Sequence, residues 1–356
     1  MKFKKMRSII FYLIFLSSLL TIGCREHDQH ETTSVIVGTG KMPNLLSSGN
    51  SLSIVYGTGD SIMFTSSSDR GETFSSPQLI AILPQLLSSH MRGPQISGNE
   101  NSLTVIACNK PGDIFSYTKD NSGNWSPGNR VNDIDTASKE ALMSLSADGN
   151  NTFAVWLDLR DGKNKIFGSH SSDAGKTWSK NKLIYASPDS TVCECCKPSV
   201  LVNGDQVNVM FRNWLNGNRD LYLIQSENAG LDFGVAKKLG VESWALNGCP
   251  MDGGGIAIGD DKKLHTVWRR QGKIYSCEPG EKEIEIGTGK ACNLTVVGSQ
   301  TIYTWTENGE IICLLPNAGR KVIGKGQSPV IKPISNDKVA FVFESENQIT
   351  AKIIHL

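Results

Sequence analysis

Residues 171–178 read SSDAGKTW, and a near copy, SSDRGETF, stands at 67–74. Two looser copies extend the series, TKDNSGNW at 118–125 and SENAGLDF at 226–233. With Asp69, Asp120, Asp173 and Asn228 taken as equivalent positions, the steps between copies are 51, 53 and 55 residues. That is a blade-sized period, and a repeat on this scale decides the architecture before any local helix or strand reading does. The residue types point to a structural turn. The Asp or Asn side chain accepts backbone N–H bonds, Gly supplies a positive φ, and the closing aromatic packs between strands. No catalytic role is assigned to these residues.

A second repeat fills the parts of the chain that lack the first. IVGTGKMPNL (36–45), IGTGKACNL (286–294) and IGKGQSPVI (323–331) are versions of one phrase, each followed by a polar turn and an alternating apolar strand: SLSIVYG, TIYTWTE and KVAFVFE. SLTVIAC, TFAVWLD, QVNVMFR and LHTVWRR occupy the same place elsewhere, and a further strand follows each of the seven. Seven strand pairs, each flanked by an inner and an outer strand, predict an all-β fold, a seven-bladed β-propeller with shorter blades five to seven. The alternative is six blades with one unit as an insertion. The chain ends at AKIIHL without an outer strand, while TSVIVGTG (33–40) resembles the outer-strand sequences EIEIGTG and RKVIGKG. The N-terminal strand is therefore expected to complete the last blade and close the ring, which removes exposed sheet edges. Trp156, Trp268 and Trp305 fall at equivalent strand positions and read as blade core, not as sugar platforms.

The first and third copies match the Asp-box (BNR) motif SxDxGxTW, and residues 33–356 resemble the sialidase-like BNR-repeat propellers. In that family the box joins the outer two strands of a blade, away from the active site. The resemblance implies an (F/Y)RIP segment, three arginines on a substrate carboxylate, an Asp acid/base and a Tyr/Glu nucleophile pair. This chain departs at the first of these: GKMPNL places Lys41, Met42 and Pro43 where RIP would stand, and lysine does not reproduce a bidentate arginine clamp. The family's Tyr and Glu have no residue-by-residue match, Tyr56 being the one tyrosine near the expected face. The likeness is thus specific for fold and much less so for activity.

The first residues, MKFKKMRSIIFYLIFLSSLLTIGC, give a basic start, an apolar run and a Gly before Cys24. They read as a lipoprotein signal peptide (1–23) with Cys24 as the lipidated residue, a polar tether (24–32) and a single propeller domain (33–356), exported and lipid-anchored to a bacterial membrane. Ordinary signal cleavage with Cys24 incidental is the alternative. In 356 residues the hydrophobic fraction is 39%, the charged fraction 20% and the formal net charge +1, so the chain has material for a core and no electrostatic footprint for nucleic acid. A monomer is expected.

The segment TVCECCKPSV (191–200) puts three cysteines in four positions, at the start of the inner strand of blade four and hence at the rim of the ligand face. Export permits disulfides. One reading braces the rim, for example Cys193 or Cys196 to Cys249. A second is a soft-metal site, Cu(I) or Zn²⁺, on Cys193, Cys195, Cys196 and Cys249, with Cys292 or His90 in support. A third leaves unpaired structural thiols. A catalytic cysteine is disfavoured, since only His90 among six histidines is placed to help it. Loops on the same face carry Arg92, Arg212, Arg219 and Arg269, with His90 and Asn213, as a pocket for an anionic glycan or related ligand. If hydrolysis follows binding, Asp158, Asp252 or Glu140 would be the acid/base. The competing role of each arginine is a salt bridge to Asp158, Asp220 or Asp252. No cofactor is required by this reading, and a noncatalytic module for protein interaction or soft-metal binding is the alternative.

Overall fold

Alternating apolar positions along short segments produce seven four-stranded antiparallel sheets. A computed structural model describes residues 34–356 apart from Asn121. The expected signal peptide (1–23), Cys24 and the expected tether (24–32) lie outside the described residues. Blade 1 runs outward as Lys41–Ser48, Ser51–Thr58, Ser61–Ser67 and Gln78–Ile82. Blade 4 repeats this as Ser199–Asn203, Gln206–Arg212, Leu221–Ser226 and Lys237–Lys238. Each of the seven inner strands touches the inner strands of the blades on either side, so the sheets form a closed ring.

The last blade is completed as the sequence predicts. Val35–Thr39 pairs antiparallel with Gln348–His355, Val35 opposite Ala351, and becomes the outer strand beyond Lys338–Ser345 and Gln327–Ser335. The first and last parts of the domain are thereby joined by backbone hydrogen bonds, and the six-bladed alternative falls away.

The second strand of each blade has neighbouring sheets on both faces, which is why it reads as a nearly continuous apolar run. Trp156, Trp268 and Trp305 are 0%, 3% and 1% exposed, in the core as expected. Burying a large apolar side chain contributes about 1.5–3 kcal/mol, and the clusters between blades contain many of them.

Two turn devices recur. In the first and third eight-residue copies, Asp69 accepts from Thr73 N and Asp173 from Thr177 N, both at 2.9 Å, while Ser67 and Ser171 Oγ accept from Gly71 and Gly175 N at 2.8 Å. The looser copies keep the same i to i+4 bond: Asn124 N donates to Asp120 at 2.9 Å and Asp232 N to Asn228 at 2.8 Å. All four lie between the third and fourth strands of their blades.

The second device explains the GK phrase. At Lys41–Asn44, Lys290–Asn293 and Gln327–Val330 the pairing of inner strand with second strand shifts register. Met42, Ala291 and Ser328 sit there with φ of 52°, 53° and 56°. Such bulges re-aim the strand, and here they turn the beginning of the inner strand towards the central channel.

Candidate functional site

The bulged segments of blades 1, 6 and 7 and the corresponding turns of blades 2, 4 and 5 enclose a cavity of about 100 Å³ at the channel mouth. Its walls include Met42 to Asn44, Gln95, Lys197, Asp252 and Cys292. Lys197 Nζ donates to Gln95 Oε1 at 2.7 Å. The Gln95 amide is held in that orientation because its Nε2 donates to the Gly93 and Pro94 carbonyls, both at 3.0 Å. Asn44 Nδ2 donates to the same Oε1 at 3.2 Å.

Among the described residues no carboxylate within 4.0 Å neutralises Lys197 or Lys332, which lies on the inner strand of blade 7. Burial pushes the Lys197 ammonium down to about 8, and the charge of Lys332 adds to the effect. Lys332 is open to channel water yet surrounded by the channel wall, and the incomplete hydration holds its ammonium below the ordinary range as well. Two lysines thus share the channel with no carboxylate within ion-pair distance of either among the described residues.

Asp252 is 2% exposed, accepts from Ala291 N at 3.3 Å and has Arg269 Nε at 4.0 Å. Burial raises its pKa against the pull of Arg212, Arg269 and His90. His90, half-buried at the rim, places Nε2 3.0 Å from the Met251 carbonyl oxygen.

The four arginines of the anticipated pocket are occupied within the wall. Arg92 donates to the Glu140 carbonyl at 2.7 Å, to Glu140 Oε2 at 3.1 Å and to the His90 carbonyl at 3.2 Å. Arg212, 2% exposed, donates to the carbonyls of Arg219 at 2.8 Å and Arg269 at 2.7 Å, tying blade 4 to blade 5. Arg219 is stacked on Trp214, 4.2 Å from its ring centre, and reaches Glu194 Oε2 at 3.1 Å. Arg269 donates to the Pro250 carbonyl at 3.3 Å.

Asp158 is fully buried and accepts from Trp156 Nε1 at 2.8 Å and from Arg160 Nε and Nη2 at 2.8 and 2.9 Å. Glu140 is paired with Arg92. Of the three candidate acid/base carboxylates, only Asp252 lines the cavity. Asn213 is fully buried and donates to Tyr185 OH at 2.8 Å, which latches blade 4 to the outer strand of blade 3.

The residues that do face the cavity, Lys197 and Gln95, had a readable signal. MPNL (42–45), GPQI (93–96), KPSV (197–200) and SPVI (328–331) are one pattern, x-Pro-x-apolar; its first position lines the mouth in blades 1, 4 and 7 (Met42, Lys197, Ser328), and in blade 2 the third position, Gln95, does so. In blade 4 the first position is lysine. The pattern is obscured there by the cysteines that precede it.

The sulfur cluster lies beside this mouth. Cys195 is bonded to Cys249, with Cα atoms 6.1 Å apart, inside the range a disulfide spans. The bridge to Cys249 therefore uses Cys195 and not Cys193 or Cys196. Those two remain thiols, 0% and 2% exposed, with sulfurs 3.4 Å apart; Cys193 Sγ is 3.8 Å from Cys195 Sγ. Arg219 Nη1 donates to Cys193 Sγ at 3.0 Å. The hydrogen bond between Cys193 and Cys196, with Arg212 and Arg219 beside it, holds the Cys193 thiol below its ordinary range despite burial. Burial, followed by the bond to Cys193, pushes Cys196 up. Cys193, Cys195 and Cys196 bring their sulfurs within 4.8 Å of one another, close enough for a soft ion, but with Cys195 bridged they offer two thiols. Cys108 and Cys313, driven to about 12 by burial, are ordinary core thiols.

No protein-family model matches this chain, and no curated protein matches it in sequence. Solved structures do match its fold. The BP39L lectin from Burkholderia pseudomallei superposes with a TM-score of 0.65 at 10% identity, covering 89% of this chain and 96% of the lectin. YCF48, solved bound to a D1 peptide, gives 0.55 at 12% identity, covering 92% of this chain and 97% of that one. The GH93 α-L-arabinofuranosidase of Fusarium graminearum, solved with arabinobiose, gives 0.50 at 11% identity, covering 91% and 97%. A lectin, a peptide-bound protein and a glycosidase share this architecture, so the likeness establishes the propeller and leaves the ligand to be argued from the site.

Proposed function

We propose that this protein is an exported, lipid-anchored propeller that binds an anionic glycan at its channel mouth, acting as a monomer and without hydrolysing its ligand. The observation that carries the reading is the pair of lysines, Lys197 and Lys332, that share the channel with no carboxylate partner among the described residues. Keeping an ammonium partly desolvated and unneutralised costs stability, and an arriving anion offsets that cost. The cavity, at about 100 Å³, is far below the 300–1,000 Å³ of sites that engulf a drug-sized ligand. It suits a single carboxylate or sulfate group, with the rest of the glycan lying across the rim near His90 and Asn293. A lectin and an arabinofuranosidase solved with arabinobiose share the architecture, which supports a glycan as the carrier of that anion. Binding without hydrolysis is favoured by the lining: most glycosidases use two carboxylates flanking one bond, and sialidases a Tyr nucleophile beside the acid, whereas among the described residues that line the cavity Asp252 is the one carboxylate and no tyrosine is present. The anchor would be Cys24.

The test is binding of the propeller, residues 25–356, to matched pairs of acidic and neutral glycans, uronate against hexose and sulfated against unsulfated. Selective binding of the acidic member, lost in Lys197→Met, is expected. Equal binding of both members, or acidic binding that survives Lys197→Met together with Lys332→Met, would overturn the reading. Labelling with radioactive palmitate in a bacterial host tests the anchor, and Cys24→Ala should remove the label.

A further inference from the structure

We propose that Cys193, Cys196, Cys195 and Cys249 form a redox relay, in which a buried dithiol passes an electron pair through the Cys195–Cys249 bridge to a sulfur at the surface. This rests on the sulfur geometry and is independent of the glycan reading. Cys193 and Cys196 stand at C-x-x-C spacing, the spacing of dithiols that close and open reversibly. Their sulfurs are 3.4 Å apart, and Cys193 is also 3.8 Å from the inner sulfur of the bridge. Both thiols are sealed from solvent, so no outside disulfide reaches them directly. Cys249, at the other end of the bridge, is exposed. The bridge is therefore the buried pair's contact with the outside.

The groups around Cys193 favour its thiolate. Arg219 donates to it at 3.0 Å, Arg212 lies nearby, and the Glu194 carboxylate is turned towards Arg219. The thiolate is the nucleophile in thiol–disulfide exchange. In the first step Cys193 Sγ attacks Cys195 Sγ. The Cys193–Cys195 bond forms, the Cys195–Cys249 bond breaks, and the electron pair leaves on Cys249. In the second step Cys196 attacks Cys193 Sγ. The Cys193–Cys196 bond forms, Cys195 departs as a thiolate and takes the proton that Cys196 gives up.

The net change oxidises the buried pair and reduces the bridge, with no outside oxidant. The exposed Cys249 thiolate can then attack an external disulfide, releasing one of its thiols. Cys195 resolves the mixed disulfide by attacking Cys249 Sγ, which restores the bridge and releases the second thiol. One external disulfide is reduced and the Cys193–Cys196 pair is left oxidised, to be reset by two external thiols that enter through Cys249 and leave joined as a disulfide.

The experiment is disulfide mapping of the unmodified protein, residues 25–356, equilibrated in a series of glutathione buffers, quenched in acid, alkylated and digested for mass spectrometry. Two single-bridge isomers are expected in the same samples, Cys195–Cys249 and Cys193–Cys196, with Cys249 alkylated in the second. Cys196→Ser should accumulate the Cys193–Cys195 linkage, because the resolving step is gone. In Cys193→Ser the Cys195–Cys249 bridge should be the sole linkage, and the single-turnover reduction of oxidised glutathione by the buried dithiol should be lost. The proposal is overturned if Cys195–Cys249 is the only linkage in the native protein across the whole series, with Cys193 and Cys196 reduced throughout. It is equally overturned if the pair resists alkylation because it retains a stoichiometric soft metal. The wild-type map decides the matter without relying on any variant's folding.

Discussion

Replacing Lys197 by methionine should make the protein more stable while removing its anion response. In the folded state the ammonium is depressed from 10.5 to about 8, chiefly by burial and then by Lys332. At about 1.4 kcal/mol per pH unit this corresponds to about 3 kcal/mol, an upper bound because channel water screens part of the charge. Methionine also loses the bond to Gln95 Oε1, a charged hydrogen bond contributing about 1.5–3 kcal/mol, although that oxygen keeps Asn44 Nδ2 as a donor. The net expectation at pH 7 is a change between about 0 and 1.5 kcal/mol in the stabilising direction.

The pH dependence is the sharper readout. Because the folded pKa lies below the unfolded one, the unfolded chain binds more protons between about pH 8 and 10.5. The contribution of Lys197 to stability should therefore rise with pH through that window, its unfavourable effect being complete below pH 8. Denaturant midpoints from pH 7 to 10 would show this rise in the wild type relative to Lys197→Met. A variant that is more than about 2 kcal/mol less stable at pH 7, with a pH profile parallel to the wild type, would refute the reasoning. Lys197 would then have a neutralising partner.

Other consequences follow from groups away from the mouth. Asp158→Asn should weaken the buried bonds to Trp156 and Arg160 while Arg160 keeps Asp133 at 3.1 Å, and should cost about 1–3 kcal/mol, read as a lowered melting temperature with ligand affinity unchanged in the folded fraction. Asp173→Ala removes the acceptor for Thr177 N and Oγ1 and should cost about 1–2 kcal/mol, again without a change in ligand affinity. Deleting residues 34–40 exposes the edge of Gln348–His355 and should convert a monodisperse protein into an aggregating one in light scattering.

Much of the fold could be read directly because blade formation depends on local patterns. Alternating strands such as TFAVWLD, and the outer-strand likeness of TSVIVGTG, specify seven units and their closure without any knowledge of distant contacts. The site was harder for a physical reason. Arg212 looks in sequence like a ligand for an anion, but its partners are the backbone carbonyls of Arg219 and Arg269, and carbonyl acceptors leave no trace in residue identity. Asp158 is likewise absorbed by Arg160 and Trp156. Lys197 is significant for what it lacks, and an absent partner is visible only once the channel is assembled. The cysteines illustrate the same limit. Three sulfurs in four positions were plain, while the pairing of Cys195 with Cys249, Cα atoms 6.1 Å apart, emerges only from the assembled rim.

The most direct measurement is calorimetric titration of an acidic glycan into the protein at pH 8, in two buffers that differ in ionisation enthalpy. Lys197 is close to half-charged there, and a bound anion would restore its charge. The expected result is uptake of up to about half a proton per ligand bound, abolished in Lys197→Met along with most of the affinity. Binding with no proton uptake, or with the same heat and affinity in Lys197→Met, would contradict the claim that the unpaired lysines of the channel are the anion site.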